Sequence, residues 1–211
     1  MKLLLTSNGI CNESLKQALY DLTQTKKIST VFITNASNNL NMDKSWLIDD
    51  IYRFRKIGEI DLLDLISTPK KLWQEKFDNC NVIAFGGGDV TVMDDIITSN
   101  FDKELKELLK NKVYVGISAG SIILSENVWG STEYLYTHFP NHTPKGLNYM
   151  NFHFRPHLNS PDFPQARKEI LEKIAQKYPN EKIYAMDDNS GIKIDGDSLE
   201  IISEGEYLEF N

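Results

Sequence analysis

The sequence predicts an α/β protein in which a mostly parallel sheet is flanked by helices, with short strands added near the C-terminal end. Three observations carry that expectation. Apolar runs rich in Leu, Val and Ile recur up to Ile117 at intervals long enough to hold a helix. Within the runs the apolar residues are consecutive, as in strands covered on both faces. From Ile183 onward the runs crowd together, leaving room only for turns.

The strands are read in order at Lys2 to Ser7, Thr30 to Thr34, Ile60 to Asp64, Asn81 to Phe85 and Lys112 to Ile117. The spacers between them read as helices. From Asp43 to Ile57, residues Trp46, Ile48, Ile51, Tyr52, Phe54 and Arg55 fall on a helical period, and Phe101 to Lys110 offers Leu105, Leu108 and Leu109 on one face. Helical crossovers between buried strands imply parallel pairing. After Ile123 the pattern becomes irregular, then gives a helix from about Asp162 to Tyr178. Short strands follow at Ile183 to Met186, Gly191 to Ile194, Leu199 to Ile202 and Tyr207 to Phe210, with Asp195-Gly196-Asp197 as a hairpin turn.

A chain of 211 residues, 41% hydrophobic and 25% charged, suffices for one large domain, read here as 1–211. The net charge of -7, without a block of Lys or Arg, argues against a nucleic-acid or anionic-membrane partner. Cys11 and Cys80 are too few for a disulfide framework or a thiolate zinc site. The opening MKLLLTSNG is too short in its apolar part for a signal peptide, and no run is long enough to span a bilayer. A cytosolic protein with reduced cysteines is expected.

Ligands of an open parallel sheet bind beyond the carboxyl ends of its strands. Small and polar residues gather at those ends: TSNG, NASNN, FGGGD and SAG. In VYVGISAGSIIL, Ser118 stands between Gly116 and Gly120 just after the fifth apolar run. A serine on a tight strand-to-helix turn needs such small neighbours, and the turn holds its hydroxyl above the sheet with the Ala119 amide beside it as an oxyanion donor. Gly86 to Gly88 would present a second backbone donor; a phosphate loop fits less well, because no Gly-Lys-Ser or Gly-Lys-Thr follows. A plain glycine turn is the remaining alternative.

A serine nucleophile needs a base. The four histidines form two pairs at a separation of four, His138 with His142 and His153 with His157. Pro140 and Pro156 interrupt these pairs, so neither is the same-face helical pair of a zinc peptidase, and no metal is expected. Phe152 and Phe154 alternate with His153 and Arg155 as in a strand packed on one face, which leaves His157 on the loop beyond it.

Together, VGISAGSIIL, FGGGD and RPHLNS resemble the peptidase E (aspartyl dipeptidase) family of serine peptidases, related to cyanophycinases, and the resemblance runs from LLLTSNG to YAMDDNSGIKI. It implies a fold similar to the class I glutamine amidotransferases and a single catalytic domain that hydrolyses short peptides through an acyl-enzyme, with no cofactor. It further implies Ser118 as nucleophile, His157 as general base, and the Gly88 and Ala119 amides as oxyanion hole. For the acidic member it points to Glu133, with Asp187 and Asp188 as rivals. Where the dipeptidases carry asparagine after the glycines, this chain has Asp89. A carboxylate there would disfavour an acidic substrate side chain by about 1–4 kcal/mol. Asp89 and, as a counter-charge, Arg155 are the candidate substrate-binding residues, with Arg167 read as a solvated surface residue, and strict aspartyl-dipeptide specificity is not expected. A serine hydrolase for another acyl compound and a catalytically silent ligand-binding relative are the alternatives.

Overall fold

The structure is a computed structural model that describes residues 1–38, 40–96, 101–126, 128 and 145–211. Glu133, His138 and His142 lie outside the described residues.

The first half alternates strands and helices: β1 (Lys2–Thr6), α1 (Glu13–Thr23), β2 (Ile28–Ile33), α2 (Asn35–Asn38), α3 (Ser45–Ile57), β3 (Gly58–Leu63), α4 (Lys70–Asp78), β4 (Val82–Phe85), α5 (Val90–Ile96), α6 (Asp102–Leu108), β5 (Val113–Ile117) and α7 (Ala119–Ile122). Then come β6 (His153–Arg155), α8 (Lys168–Lys177), β7 (Ile183–Met186), β8 (Ser190–Asp195), β9 (Ser198–Ser203) and β10 (Tyr207–Phe210). The main sheet runs β3-β2-β4-β5-β1-β8-β9. Its first five strands pair in parallel, while β8 and β9 join antiparallel. The expected fold class is the one observed.

The consecutive leucines of β1 show why this sheet must be covered twice. Leu3 and Leu5 enter one core with Phe85, Leu105, Phe154 and Met186. Leu4 enters the other, with Leu15, Leu19, Phe54, Val115 and Ile117. Each fully buried aliphatic side chain contributes roughly 1.5–3 kcal/mol, so neither face could be left to water. Helix α1 delivers Leu15, Ala18, Leu19 and Leu22 to the second core on a helical period, and the Asn12 Oδ1 fixes its start by accepting from the Leu15 amide at 2.9 Å.

One detail was not read from the sequence, and another departs from it. Strands β7 and β10 do not join β8 and β9; with β6 they form a separate sheet, β10-β7-β6, in which β6 and β7 are parallel. Phe154 and Met186 face the main core, whereas Ile183 and Ala185 meet Leu171, Ile174 and Ala175 of α8. The helix expected from about Asp162 begins only at Lys168, after a 3-10 turn at Pro164–Ala166. Pro164 keeps Phe163 out of the helical region, and Arg167 is extended at φ -77, ψ 146. The hairpin turn at Asp195 to Asp197 is present, with Gly196 at φ 61. No helix of the described residues is long and apolar enough to cross a membrane.

Candidate active site

The carboxyl ends of β1, β4 and β5 lie together, and Ser118 follows β5 directly. Its backbone is left-handed, φ 50 and ψ -108, a conformation that persists only where neighbours hold it. The Ser118 amide donates to the Thr6 carbonyl at 2.9 Å, and the Ser118 carbonyl accepts from the Ser121 and Ile122 amides. Ser121 completes the clamp: its hydroxyl accepts from the Thr6 amide at 3.0 Å and donates to the Thr6 carbonyl at 2.9 Å. Gly120 is required by contact, since a Cβ there would stand 2.3 Å from the Phe85 carbonyl oxygen.

The second strained residue is His157, at φ 63. Its Nε2 lies 2.9 Å from Ser118 Oγ, and its Nδ1 lies 2.6 Å from Asp188 Oδ1. A carboxylate only accepts, so Nδ1 carries the proton and Nε2 is left to accept from the serine hydroxyl. Phe163 stacks on the imidazole, with ring centroids 4.0 Å apart and planes 9° apart. The ring is thereby fixed by an acid at one nitrogen, a serine at the other and a phenyl on its face.

The turn after β7 sorts the neighbouring acids. Asp187 is bound inward: its Oδ1 accepts from Ser190 Oγ at 2.6 Å and the Asn189 amide at 3.0 Å, and its Oδ2 accepts from the Glu206 amide at 2.7 Å. Asp188 is left to face His157. The loop after β1 holds this turn from below, through Ser7 Oγ to the Met186 carbonyl (2.9 Å), Cys11 Sγ to the Asp188 carbonyl (3.0 Å) and Asn12 Nδ2 to the Asn189 carbonyl (2.8 Å). Burial raises the Cys11 thiol against the pull of Arg53, which keeps it a donor. Arg53 braces the same loop, donating to the Asn8 carbonyl at 2.8 Å and pairing with the buried Asp50 at 3.0 Å. Burial pushes the Asp50 carboxyl up to about 6, against the opposing charge of Arg53.

Gly88, at φ 135, could carry no side chain, for its Cβ would lie 2.2 Å from the Ala36 carbonyl oxygen. Among the described residues none accepts from the amides of Gly88 or Ala119. Asp89 is turned toward its own helix: Oδ1 accepts from the Thr91 amide at 2.9 Å and the Thr91 hydroxyl at 2.7 Å, capping α5.

Of the two histidines separated by four, His153 is buried with Nε2 2.8 Å from Glu181 Oε2, while His157 faces Ser118 and Asp188. They look to different partners. Among the described residues no group of three or more His, Cys, Asp or Glu side chains could hold a metal ion.

Arg155 is buried in β6, and its Nε has no hydrogen-bond partner among the described residues. Desolvation pulls its guanidinium down to about 10. A buried cation with an unsatisfied Nε costs stability, so Arg155→Met should raise the melting temperature by a few degrees, on the scale of about 2–4 °C per kcal/mol. Calorimetry and peptide kinetics together check this. A lower melting temperature would show that the guanidinium stabilises the fold, and an unchanged one with KM raised for every peptide would assign the cation to an anionic group of the substrate.

Sequence reasoning left Asp188 as one of two rivals to Glu133 and passed over Phe163. The signal for Asp188 was its place at the carboxyl end of an apolar run, the same signal that marked Ser118. Nothing local distinguished it from Asp187.

Comparison with known proteins identifies a family and a fold. Peptidase E of Actinobacillus pleuropneumoniae serotype 5b (strain L20) is 25% identical over 164 residues, 71% of this chain and 66% of that protein. An uncharacterized peptidase of Listeria monocytogenes is 30% identical over 121 residues, 53% of this chain and 54% of its own length. The chain thus spans about two thirds or less of the curated relatives it matches. The fold is similar to that of a candidate peptidase E protein from Listeria monocytogenes EGD-e, with TM-score 0.78, 22% identity and coverage of 97% of this chain and 98% of that one. A peptidase from an acI-B1 actinobacterium gives TM-score 0.72 at 17% identity, covering 98% of this chain and 88% of the other. The model of peptidase family S51 matches residues 3–202, and the chain belongs to that family.

Proposed function

We propose that this protein is a serine peptidase that hydrolyses short peptides through an acyl-enzyme on Ser118. The relay from Ser118 Oγ through His157 to Asp188, 2.9 Å and 2.6 Å long, is the observation that carries the reading. In the first half-reaction Oγ attacks the scissile carbonyl as its proton passes to His157 Nε2. Asp188 accepts from Nδ1–H throughout and stabilises the imidazolium. The carbonyl oxygen gains negative charge in the tetrahedral intermediate, and the Gly88 and Ala119 amides are the donors for it. Nε2–H then protonates the leaving amine, the C–N bond breaks, and the ester to Ser118 remains. Water repeats the sequence: His157 takes its proton, hydroxide adds to the ester, and the proton returns to Oγ as the acid leaves. The cycle calls for no metal or organic cofactor.

Both ring nitrogens of His157 are engaged, by Ser118 and by Asp188, so the orienting role is assigned to Asp188 rather than to Glu133. Peptides are favoured over other acyl compounds because the family is one of peptidases.

A fluorophosphonate probe tests the nucleophile, and a panel of dipeptides and tripeptides set beside simple aryl esters tests the substrate class. Labelling of Ser118 with turnover of peptides is expected. Labelling with turnover of esters alone would leave a serine hydrolase of another acyl class, and neither labelling nor turnover would leave a ligand-binding relative.

A further inference from the structure

The loop that leaves β6 folds back onto the residue at its start. His157 and Asn159 are both left-handed, at φ 63 and φ 59. The Ser160 amide donates to the His157 carbonyl at 3.0 Å, the Phe163 amide to the Ser160 carbonyl at 3.2 Å and the Ala166 amide to the Phe163 carbonyl at 2.8 Å. The Asn159 amide closes the loop on the Ala166 carbonyl at 3.1 Å, and the buried Leu158 and Ala166 anchor it. Phe163, 36% exposed at its middle, joins none of the three hydrophobic cores formed by the described residues. It lies instead on the imidazole of His157, with 4.0 Å between ring centroids and 9° between planes. A large apolar ring braced by backbone bonds at a place where it gains little from burial calls for a reason other than stability.

The stack acts on the imidazole in two ways. The first is geometric: the ring must keep Nε2 2.9 Å from Ser118 Oγ and Nδ1 2.6 Å from Asp188 Oδ1 at once. Tilting the ring would draw both nitrogens out of line, and a parallel phenyl in contact with one face blocks the tilt toward that side. The second is electrostatic. The imidazole becomes a cation when it takes the Ser118 proton, and the face of a phenyl ring carries the negative part of its quadrupole, so it attracts the imidazolium more than the neutral ring. An interaction that strengthens as the charge develops raises kcat and leaves KM alone.

We propose that Phe163 is a positioning residue for the reaction, one that holds the His157 ring to Ser118 and Asp188 and stabilises the imidazolium formed there. The proposal rests on the peptidase reading of the site. It separates Phe163 from a mere wall for substrate, which would act on the peptide and not on His157. Leucine is apolar and bulky but has neither the flat face nor the quadrupole. Phe163→Leu should therefore lower kcat by about 3- to 30-fold with KM within about twofold of the unsubstituted value. Because Phe163 joins none of the described cores, the melting temperature should move little.

The test pairs peptide kinetics with the rate of labelling by a fluorophosphonate, in which Ser118 Oγ displaces fluoride as its proton passes to His157 and no peptide has to bind. Both kcat and the labelling rate should fall together in Phe163→Leu, while Phe163→Tyr and Phe163→Trp, which keep an aromatic face, should restore most of each. Phe163→Met is the second non-aromatic variant, and a thermal melt confirms that each variant is folded. A third readout is the low-field NMR signal of the His157 Nδ1–H proton, absent in His157→Ala, which should be sharp in the unsubstituted protein and in Phe163→Tyr and broadened or lost in Phe163→Leu. Unchanged labelling with a raised KM would make Phe163 a wall for substrate, and aromatic variants no faster than Phe163→Leu would remove any role for the ring face; either result overturns the proposal. If the unsubstituted protein were neither labelled nor able to turn over a peptide, the peptidase reading would fail separately. The Nδ1–H signal would then decide: its loss in Phe163→Leu alone would support the positioning of His157, and the same signal in every Phe163 variant would overturn it.

Discussion

Ser118→Ala and His157→Ala should each lower turnover of a peptide substrate by on the order of 10⁴-fold or more, and the double substitution should be no slower than the worse single one. The reason is that the two groups perform one act. Ser118 Oγ can attack only if its proton has somewhere to go, and the acceptor within reach is His157 Nε2, at 2.9 Å. Removing either end leaves the other without a function, so a second loss adds nothing; effects that multiplied would mean that the two act in separate steps. Stability should report the opposite. The clamp around Ser118 is made of backbone bonds to Thr6 and of the Ser121 hydroxyl, none of which involves Ser118 Oγ. Ser118→Ala should therefore melt close to the unsubstituted protein. A melting temperature lowered by many degrees would show that the hydroxyl holds the turn together, and would remove the case for it as nucleophile.

What could be read from the sequence follows from how local each signal is. Strands β1, β2, β4 and β5 announce themselves because burial on both faces demands consecutive apolar residues, and LLL in β1 divides between the two cores. The turn at Ser118 is legible for a related reason: Gly116 and Gly120 flank Ser118 because Cβ atoms there would collide with the turn or with Phe85. The exchange of β7 and β10 into a second sheet was not legible. A four-residue run such as Ile183–Met186 has the same composition whichever neighbour it pairs with, and the choice is made by Phe154 and Met186 packing on the main core. The helical period that placed Trp46 with Ile51 and Phe54 did not show that its ring edge lies by Gly87 in the loop after β4. The acid was undecided between Glu133, Asp187 and Asp188 because its choice depends on hydrogen bonds from residues far away in sequence, Glu206 among them.

That choice can be made by substitution. Asp188→Asn should leave the melting temperature nearly unchanged while lowering turnover by roughly 10² to 10⁴-fold, the scale seen when the acid of such a triad is made neutral. Asp188 is 40% exposed, and among the described residues its side chain bonds to His157 alone, so little of the fold depends on its charge. The chemistry does. An amide presents an N–H as readily as a carbonyl, and with the N–H toward Nδ1 the imidazole must carry its proton on Nε2, where it can no longer accept from Ser118. Even with the carbonyl toward Nδ1, the negative charge that stabilises the imidazolium is gone. Asp187→Asn should behave differently, because Asp187 holds Ser190, Asn189 and Glu206 at 2.6 to 3.0 Å. Its loss should appear first as a lower melting temperature, with turnover falling only as far as the turn carrying Asp188 loosens. Glu133→Gln completes the comparison, and a loss of turnover smaller than that of Asp188→Asn is expected. If Asp188→Asn kept near-normal turnover while Glu133→Gln lost 10²-fold or more, the orienting acid would be Glu133, and the 2.6 Å contact of Asp188 with His157 would be incidental to catalysis.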